Sequence, residues 1–240
     1  MRYKIFVSCL LSFFLLLIGG SFFIGAKETK ENKVKKIAYV TPVSNEERVY
    51  ESLQSSQFEL PKFDIFTKAL NGFYLLKEKG LIQKNILTLI DFSLSSNIPR
   101  LWVIDLETNT VLYNSLVAHG RNSGNEFAAS FSNTPESFKS SLGFYATGEI
   151  YTGKHGKSLR LDGLEKGIND NARERAVVIH GADYVSKSFI SNNKRLGRSL
   201  GCPAIPVELT NKIIQTIKDK SCLFIYHPSN EEEVMSHLIS

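Results

Sequence analysis

Residues 177–206 combine a histidine and a cysteine in a pattern suited to acyl transfer. The segment reads VVIHGADYVSKSFISNNKRLGRSLGCPAIP, with His180 after an apolar run and Cys202 in a tight Ser-Leu-Gly-Cys-Pro turn. A cysteine attacks a carbonyl carbon as the thiolate, and an imidazole within hydrogen-bond reach is the usual base that removes its proton. The pattern therefore predicts that Cys202 is a nucleophile and that His180 is its general base.

Glycines adjoin both residues, since Gly181 follows the histidine and Gly201 precedes the cysteine. Glycine lets the main chain approach a substrate closely and direct N–H groups at an oxyanion. We therefore predict that main-chain N–H groups at Gly201 and Cys202 stabilise the tetrahedral oxyanion. Ser199 begins this turn, and a serine in such a position commonly serves only to bond the main chain of the turn through its hydroxyl.

Cys222 offers a competing interpretation of Cys202. Two cysteines of an exported domain can form a structural disulfide, and a bonded Cys202 could not act as a nucleophile. Cys222 precedes the apolar residues LFI, a position also typical of a small buried residue in a strand. His180 alone would be typical of a hydrogen-bonded structural histidine, so its catalytic interpretation depends on Cys202.

These residues resemble the signature of the L,D-transpeptidase catalytic domain (YkuD-like) family, in which His-Gly is followed by Ser-x-Gly-Cys. Three further segments resemble the murein L,D-transpeptidase variant of this family: AHGRNSG at 118–124, FSNTPESFKSSLGFY at 131–145 and YTGKHGKSLRLDGL at 151–164. The resemblance covers residues 86–226. In better-studied members a histidine stands where this chain has Leu200, and Pro203 and Ala204 follow the cysteine here.

The resemblance implies an enzyme that acts on peptidoglycan stem peptides without a cofactor. It implies that Cys202 attacks the carbonyl of the third-position diamino acid at its L-centre, that D-alanine leaves and that a thioester remains. An amine from a second stem would complete a cross-link, whereas water would make the protein an L,D-carboxypeptidase. In the family the backbone carbonyl of the residue matching Ser199 orients the base, here His180, and carbapenems acylate the cysteine.

Polar loops contain the predicted substrate-binding residues. The resemblance points to His119 and Arg121 in the AHGR segment and to His155 in KHGK, and such glycine-containing loops suit carboxylates and amides. The loop that ends at the cysteine contains Arg195 and Arg198, and an arginine can hold a carboxylate through two hydrogen bonds. Of these two arginines we predict substrate contact for Arg198.

Composition and motif spacing argue against several other functions. The formal net charge of +5 is a mild basic excess without a basic stripe of interleaved aromatic residues, so no nucleic-acid partner is predicted. The five histidines lack HxxxH and HExxH spacing, and no CxxC occurs, so local spacing predicts no metal site. The GKS at 156–158 lacks the first glycine of a phosphate-binding loop.

The N-terminal residues 1–26 predict export. They comprise a basic start, an apolar run at 5–24 and a small-residue site at 25–26, which is typical of a signal peptide. The run is also long enough for an uncleaved anchor in the inner membrane. We predict a protein of the periplasm or cell envelope, with residues 27–43 as a charged linker.

The rest of the chain predicts a helical segment followed by a β domain. Residues 44–85 show apolar residues at helical spacing. Predicted strands cover 86–92, 100–106, 110–117, 144–151, 176–180 and 222–226, with one helix at 207–218. We predict a mainly β domain over 86–228, a β-sandwich or barrel-like L,D-transpeptidase fold of mostly antiparallel strands, before a tail at 229–240.

One feature of the sequence favours a second hypothesis, in which the protein has no catalytic activity. Leu200 replaces the histidine of the family signature, which is compatible with a non-catalytic wall-binding module on the same scaffold. The reactivity of the Cys202 thiol separates this hypothesis from the enzyme.

Overall fold

The computed structural model describes three stretches of the chain, residues 43–55, 57–153 and 156–230. They form eight strands: β1 (Ile86–Asp91), β2 (Leu101–Asp105), β3 (Thr110–Ser115), β4 (Gly143–Gly153), β5 (Gly156–Gly163), β6 (Val178–Gly181), β7 (Ala204–Ile205) and β8 (Cys222–Tyr226). The helices are α1 (Asn45–Glu51), α2 (Phe63–Glu78), α3 (Lys187–Asn193) and α4 (Val207–Ile217), and a 3-10 turn follows at Pro228–Asn230.

The eight strands form one mixed sheet in the order β3-β2-β1-β8-β4-β5-β6-β7. Strands β1 and β8 run parallel, as do β6 and β7, and the other neighbours are antiparallel. Beyond β3, Ala118 exchanges main-chain hydrogen bonds of 2.8 and 3.4 Å with Ala204 of β7. The two edges of the sheet therefore meet, and the mainly β, barrel-like fold predicted from the sequence is confirmed.

Helix α2 packs on this sheet through one apolar side. The buried members of that side are Ile65, Phe66, Ala69, Leu70, Phe73 and Leu76. Gly72 lies on the same side and faces the ring of Phe144, which stacks on Phe224 with ring centroids 4.1 Å apart. A side chain at position 72 would collide with Phe144, so glycine permits the close approach. Helix and sheet thus share one core, which supports the strands around the site.

Strands β5 and β7 and helix α3 are elements that the sequence does not predict. Strand β7 has two residues, and β5 begins with exposed polar residues that hide its alternation. Helix α3 buries no residue and so shows no apolar stripe; it forms where the Ser186 hydroxyl accepts the N–H of Phe189 at 3.2 Å. Strand β6 starts at Val178 rather than at 176, because Ala176 has φ +53° and interrupts the extended chain.

Several sequence-based predictions fall outside the described residues. They are the export segment at 1–26, the linker at 27–42, His155 and the tail beyond residue 230. Within the described ranges, no helix combines the length and apolar character needed to cross a membrane.

Candidate active site

Cys202 lies in a turn that Ser199 holds closed. The Ser199 hydroxyl donates to the main-chain carbonyl oxygen of Cys202 at 2.6 Å and accepts the N–H of Gly201 at 3.1 Å. Gly201 has φ +128°, and a Cβ there would lie 2.9 Å from the carbonyl oxygen of Lys139. Glycine is therefore needed on both conformational and steric grounds. The turn presents the thiol from a fixed main chain.

His180 lies near the end of β6, beside this turn. Parallel pairing of β6 with β7 sets His180 opposite Ala204, two residues beyond Cys202. The His180 ring is buried, and its Nδ1 lies 3.0 Å from the carbonyl oxygen of Gly181. A proton on Nδ1 would be donated to that carbonyl, which leaves Nε2 as the basic nitrogen. The pairing of two short strands thus brings the predicted base close to the predicted nucleophile.

A cavity of about 370 Å³ adjoins both residues. It is lined by Tyr151, Arg175, Ala176, Val178, His180, Tyr184, Arg198, Ser199, Leu200 and Cys202. Among the described residues, this lining contains two arginines and no carboxylate, which gives it a positive charge. Tyr151, Tyr184 and Leu200 add apolar surface, and Leu200 is 61% exposed. The cavity therefore suits an anionic ligand with apolar parts.

The Cys202 thiol is free and half-buried, and its Sγ lies 3.7 Å from the carbonyl oxygen of Ala176. Burial raises the pKa of Cys202, while the N–H of Val178, the charge of Arg175 and the cysteine's own N–H act to lower it. The thiol is therefore largely protonated at neutral pH and needs a base before it can attack. His180 lines the same cavity and is the candidate for that base.

Cys222 lies in β8, fully buried in the core, and its thiol is also free. Burial raises the pKa of Cys222 as well. The alternative in which Cys202 and Cys222 form a disulfide is therefore contradicted, because one thiol lines the cavity and the other lies in the core.

Comparison with known proteins bears on the identity of this site. A family model described as the L,D-transpeptidase catalytic domain matches residues 58–226. The chain belongs to this family. No curated protein matches this sequence.

Several solved structures are similar to this chain. An L,D-transpeptidase from Mycobacterium smegmatis aligns at 10% identity and TM-score 0.38, over 60% of this chain and 59% of that one. The helical cell shape determining protein Pgp2 from Campylobacter jejuni aligns at 14% identity and TM-score 0.40, over 65% and 55%. An L,D-transpeptidase from Xylanimonas cellulosilytica aligns at 12% identity and TM-score 0.34, over 75% and 90%. This chain thus spans less than two thirds of the length of the first two structures.

The turn of this L,D-transpeptidase domain differs in one respect from the expectation. The N–H of Gly201 is bonded to Ser199 Oγ, so the prediction that it faces an oxyanion is corrected. The carbonyl oxygen of Ser199 accepts the N–H of Arg121 at 2.8 Å, and its expected role in orienting His180 stays a prediction. The N–H of Cys202 lies close to its own sulfur and stays the candidate oxyanion donor.

His119 does not line the cavity, which corrects its predicted contact with substrate. Its side chain is fully buried, and its Nδ1 lies 2.8 Å from Nη2 of Arg100. Burial, followed by the charge of Arg100, lowers the pKa of His119 to about 4, so the ring is neutral and accepts from the guanidinium. Its main-chain carbonyl accepts the N–H of Ser199 at 3.0 Å. The AHGR segment therefore supports the cysteine turn through its backbone.

Arg121 is likewise absent from the cavity lining. Its exposed side chain lies over the ring of Phe138, with 4.2 Å from Cζ to the ring centroid. In this domain the main-chain N–H of Arg121, rather than its guanidinium, serves the cysteine turn.

Arg198 faces the cavity, as predicted for a substrate-binding residue, and Arg195 does not. The Nη1 of Arg198 donates to the carbonyl oxygens of Arg121 and Gly124 at 3.1 and 2.9 Å, and to Oδ1 of Asn125 at 2.9 Å. These bonds all use one nitrogen, so Nη2 and Nε keep donors for a ligand. Whether they meet a substrate carboxylate stays a prediction.

Three residues of the cavity lining with polar side chains were not predicted as site residues: Tyr151, Arg175 and Tyr184. Burial, followed by the proximity of Cys202, raises the pKa of Tyr184 to about 12, so its hydroxyl is a neutral donor. Arg175 and Tyr184 lie five residues before and four residues after His180, outside strand β6, so only the fold places them in the lining of one cavity. Among the described residues, no group of three or more His, Cys, Asp or Glu side chains could hold a metal ion.

Proposed function

We propose that this chain is a cysteine acyltransferase acting on peptidoglycan stem peptides, an L,D-transpeptidase. The observation that carries the proposal is one cavity lined by both the free thiol of Cys202 and the imidazole of His180. Membership of the L,D-transpeptidase catalytic domain family supplies the expected substrate class. The positive, partly apolar cavity is compatible with a peptide that carries carboxylates.

The proposed first half-reaction makes an acyl-enzyme. His180 accepts the proton of Cys202, and the thiolate attacks the carbonyl carbon of the third stem residue at its L-centre. The new carbon–sulfur bond places negative charge on the carbonyl oxygen, which the N–H of Cys202 would stabilise. Collapse of this intermediate breaks the carbon–nitrogen bond, and D-alanine leaves with the proton held by His180. A thioester on Cys202 remains.

The second half-reaction decides the product. An amine from another stem would give up a proton to His180, attack the thioester and release the thiol with a new amide cross-link. Water would instead release a tripeptide, the L,D-carboxypeptidase outcome. Incubation with a disaccharide tetrapeptide, followed by mass spectrometry, separates the two activities, because dimers indicate transpeptidation and tripeptide alone indicates hydrolysis.

Arg198 is the proposed anchor for a stem-peptide carboxylate. Its Nη1 is fixed by three acceptors of the 121–125 loop, which holds the remaining donors in the cavity. A guanidinium placed in this way can meet a carboxylate with two hydrogen bonds. His155, outside the described residues, stays a predicted substrate-binding residue. The apolar run at 5–24 supports the further proposal of an exported, periplasmic protein, with or without an inner-membrane anchor.

Carbapenem acylation tests the proposed nucleophile. We expect the intact mass of the wild-type protein to rise by one carbapenem and peptide mapping to assign the adduct to Cys202. The variant Cys202→Ser should form no thioester adduct, and His180→Gln should form it far more slowly. Cys222→Ala is the matched control, since it removes a core thiol and should leave the adduct intact.

The same measurement bears on the non-catalytic alternative, which the replacement of the family histidine by Leu200 favours. A folded, reduced wild-type protein whose Cys202 reacts neither with a carbapenem nor with a thiol reagent would support a wall-binding module. It would also refute the acyltransferase.

A further inference from the structure

Arg175, the second arginine of the cavity, is bound differently from Arg198. Its Nη1 donates to the carbonyl oxygen of Ser132 at 2.8 Å and to Oγ of Ser141 at 3.0 Å. Its Nη2 donates to Oγ of Ser137 at 3.3 Å and to the carbonyl oxygen of Lys139 at 2.8 Å. These four bonds use every hydrogen on the two terminal nitrogens. Arg175 therefore has no terminal donor left for a substrate carboxylate.

All four acceptors of Arg175 are neutral oxygens, so these bonds fix the position of its charge without cancelling it. Arginine also cannot lose its proton under physiological conditions. A fixed positive charge in a partly buried site acts strongly on nearby ionisable groups, because little water screens it.

Cys202 is an ionisable group on which this charge acts. Nη2 of Arg175 lies 3.6 Å from the point where a Cβ on Gly201 would stand, and Gly201 adjoins Cys202. The next residue after Arg175, Ala176, has its carbonyl oxygen 3.7 Å from the Cys202 sulfur. Arg175 and Ala176 both line the cavity. The charge thus lies on the flank of the cysteine turn.

The loop that Arg175 holds also touches this turn. Oγ of Ser140 donates to the carbonyl oxygen of Gly201 at 3.0 Å and accepts the N–H of Gly120 at 3.0 Å. The carbonyl oxygen of Lys139 occupies the space beside Gly201. Arg175 therefore connects the 132–141 loop, the cysteine turn and the start of β6.

We propose that Arg175 is a positioning residue that stabilises the thiolate of Cys202 by its fixed charge and holds the 132–141 loop against the cysteine turn. This inference rests on the proposed function, since it concerns the same nucleophile. A positive charge within a few ångströms favours the thiolate over the thiol. It offsets part of the burial that raises the pKa of Cys202. The two arginines thus have separate tasks, Arg198 for the ligand and Arg175 for the sulfur.

Alkylation of the thiol measures this effect without any substrate. Iodoacetamide reacts with the thiolate, whose sulfur displaces iodide, so the rate follows the ionised fraction of the cysteine. The full-length chain is treated between pH 5.5 and 10, and peptide mapping isolates the modification of Cys202. We expect Arg175→Met to raise the midpoint of the pH profile by about one unit. Arg175→Lys keeps the charge and should leave the midpoint close to that of the wild type.

Arg173→Met is the matched control. Arg173 lies two residues earlier but forms ion pairs with Glu149 and Asp162 on the surface. Its removal should leave the midpoint of Cys202 alkylation unchanged. An equal shift from Arg173→Met would show that the effect is general rather than local and would overturn the proposal.

An unchanged midpoint in folded Arg175→Met would also overturn the proposal. If that variant does not fold, Arg175→Lys decides, because a shift of about one unit with the charge retained would refute the electrostatic role. A wild-type Cys202 that alkylates normally but forms no carbapenem adduct would refute the acyltransferase and leave the role of Arg175 standing. A normal adduct with an unchanged Arg175→Met midpoint would refute only the inference about Arg175.

Discussion

The hydroxyl of Ser199 donates to the carbonyl oxygen of Cys202 across 2.6 Å, and this bond closes the turn that carries the thiol. Oγ of Ser199 also accepts the N–H of Gly201. Ser199 thereby satisfies two main-chain groups with one side chain, in a position where only 4% of the residue is exposed. The serine thus fixes the geometry of the Cys202 turn through its side chain.

Replacement of Ser199 by alanine should loosen this turn. A buried carbonyl and a buried N–H each lose a partner, and we expect a loss of about 1–3 kcal/mol in the free energy of unfolding. Carbapenem acylation should also slow, because the thiol is held less firmly. Urea denaturation and the time course of adduct formation measure the two effects. Ser188→Ala, on the exposed side of α3, should change neither. A Ser199→Ala protein that acylates at the wild-type rate would contradict this role.

Gly120 is required because three main-chain segments meet there. A Cβ at this position would lie 2.5 Å from the carbonyl oxygen of Phe138 and 3.0 Å from the Cα of Gly201. We expect Gly120→Ala to cost about 1–3 kcal/mol of stability and to displace the cysteine turn. Acylation should therefore slow as well.

Gly80→Ala separates stability from reactivity in that experiment. Gly80 has φ +70° with no atom within 4 Å of its Cβ position, so alanine should cost backbone strain alone, about 1 kcal/mol. Its acylation rate should match the wild type. Equal slowing in both variants would show that the effect at Gly120 reflects stability in general.

Glu165 should make the fold less stable as the pH rises. Its carboxyl is buried, and burial raises its pKa to about 7 from an ordinary value of 4.5. Glu165 therefore contributes fully to the free energy of unfolding below pH 4.5, where it is protonated in both states. This contribution is lost as the pH rises through 7, because the carboxyl ionises at a lower pH in the unfolded chain than in the folded protein. The loss should reach about 3 kcal/mol. Urea denaturation at pH 5 and 8 should show this decline in the wild type and a smaller one in Glu165→Gln. Identical declines in both proteins would refute the assignment.

His119 should act in the opposite direction at lower pH. Its folded pKa of about 4 lies below the ordinary 6.5, so its contribution is complete above pH 6.5 and is lost as the pH falls towards 4. The loss should again be up to about 3 kcal/mol. His119→Gln can still accept from Arg100 but cannot ionise, so its unfolding free energy should fall less between pH 7 and 4. If His119 instead contacts substrate, this variant would change the acylation rate and leave the pH dependence of stability intact.

The two residues of the proposed catalytic pair could be singled out in the sequence because their signals are local. His180 follows an apolar run, Cys202 lies in a glycine turn, and both patterns survive as β6 and the turn before β7. The mainly β fold followed in the same way from short runs of β-branched and aromatic residues. The two-residue β7 and the capped helix α3 carry too little periodicity to be predicted.

The sequence by itself determined which residue types were available, a cysteine, a histidine and two arginines, and that their spacing suits acyl transfer. Only the tertiary structure decided their tasks. It buried His119 against Arg100, used the N–H of Gly201 inside the turn, and brought Arg175 beside the cysteine turn. The physical reason is that burial, charge proximity and hydrogen-bond satisfaction depend on segments far apart in the chain, which no local pattern records.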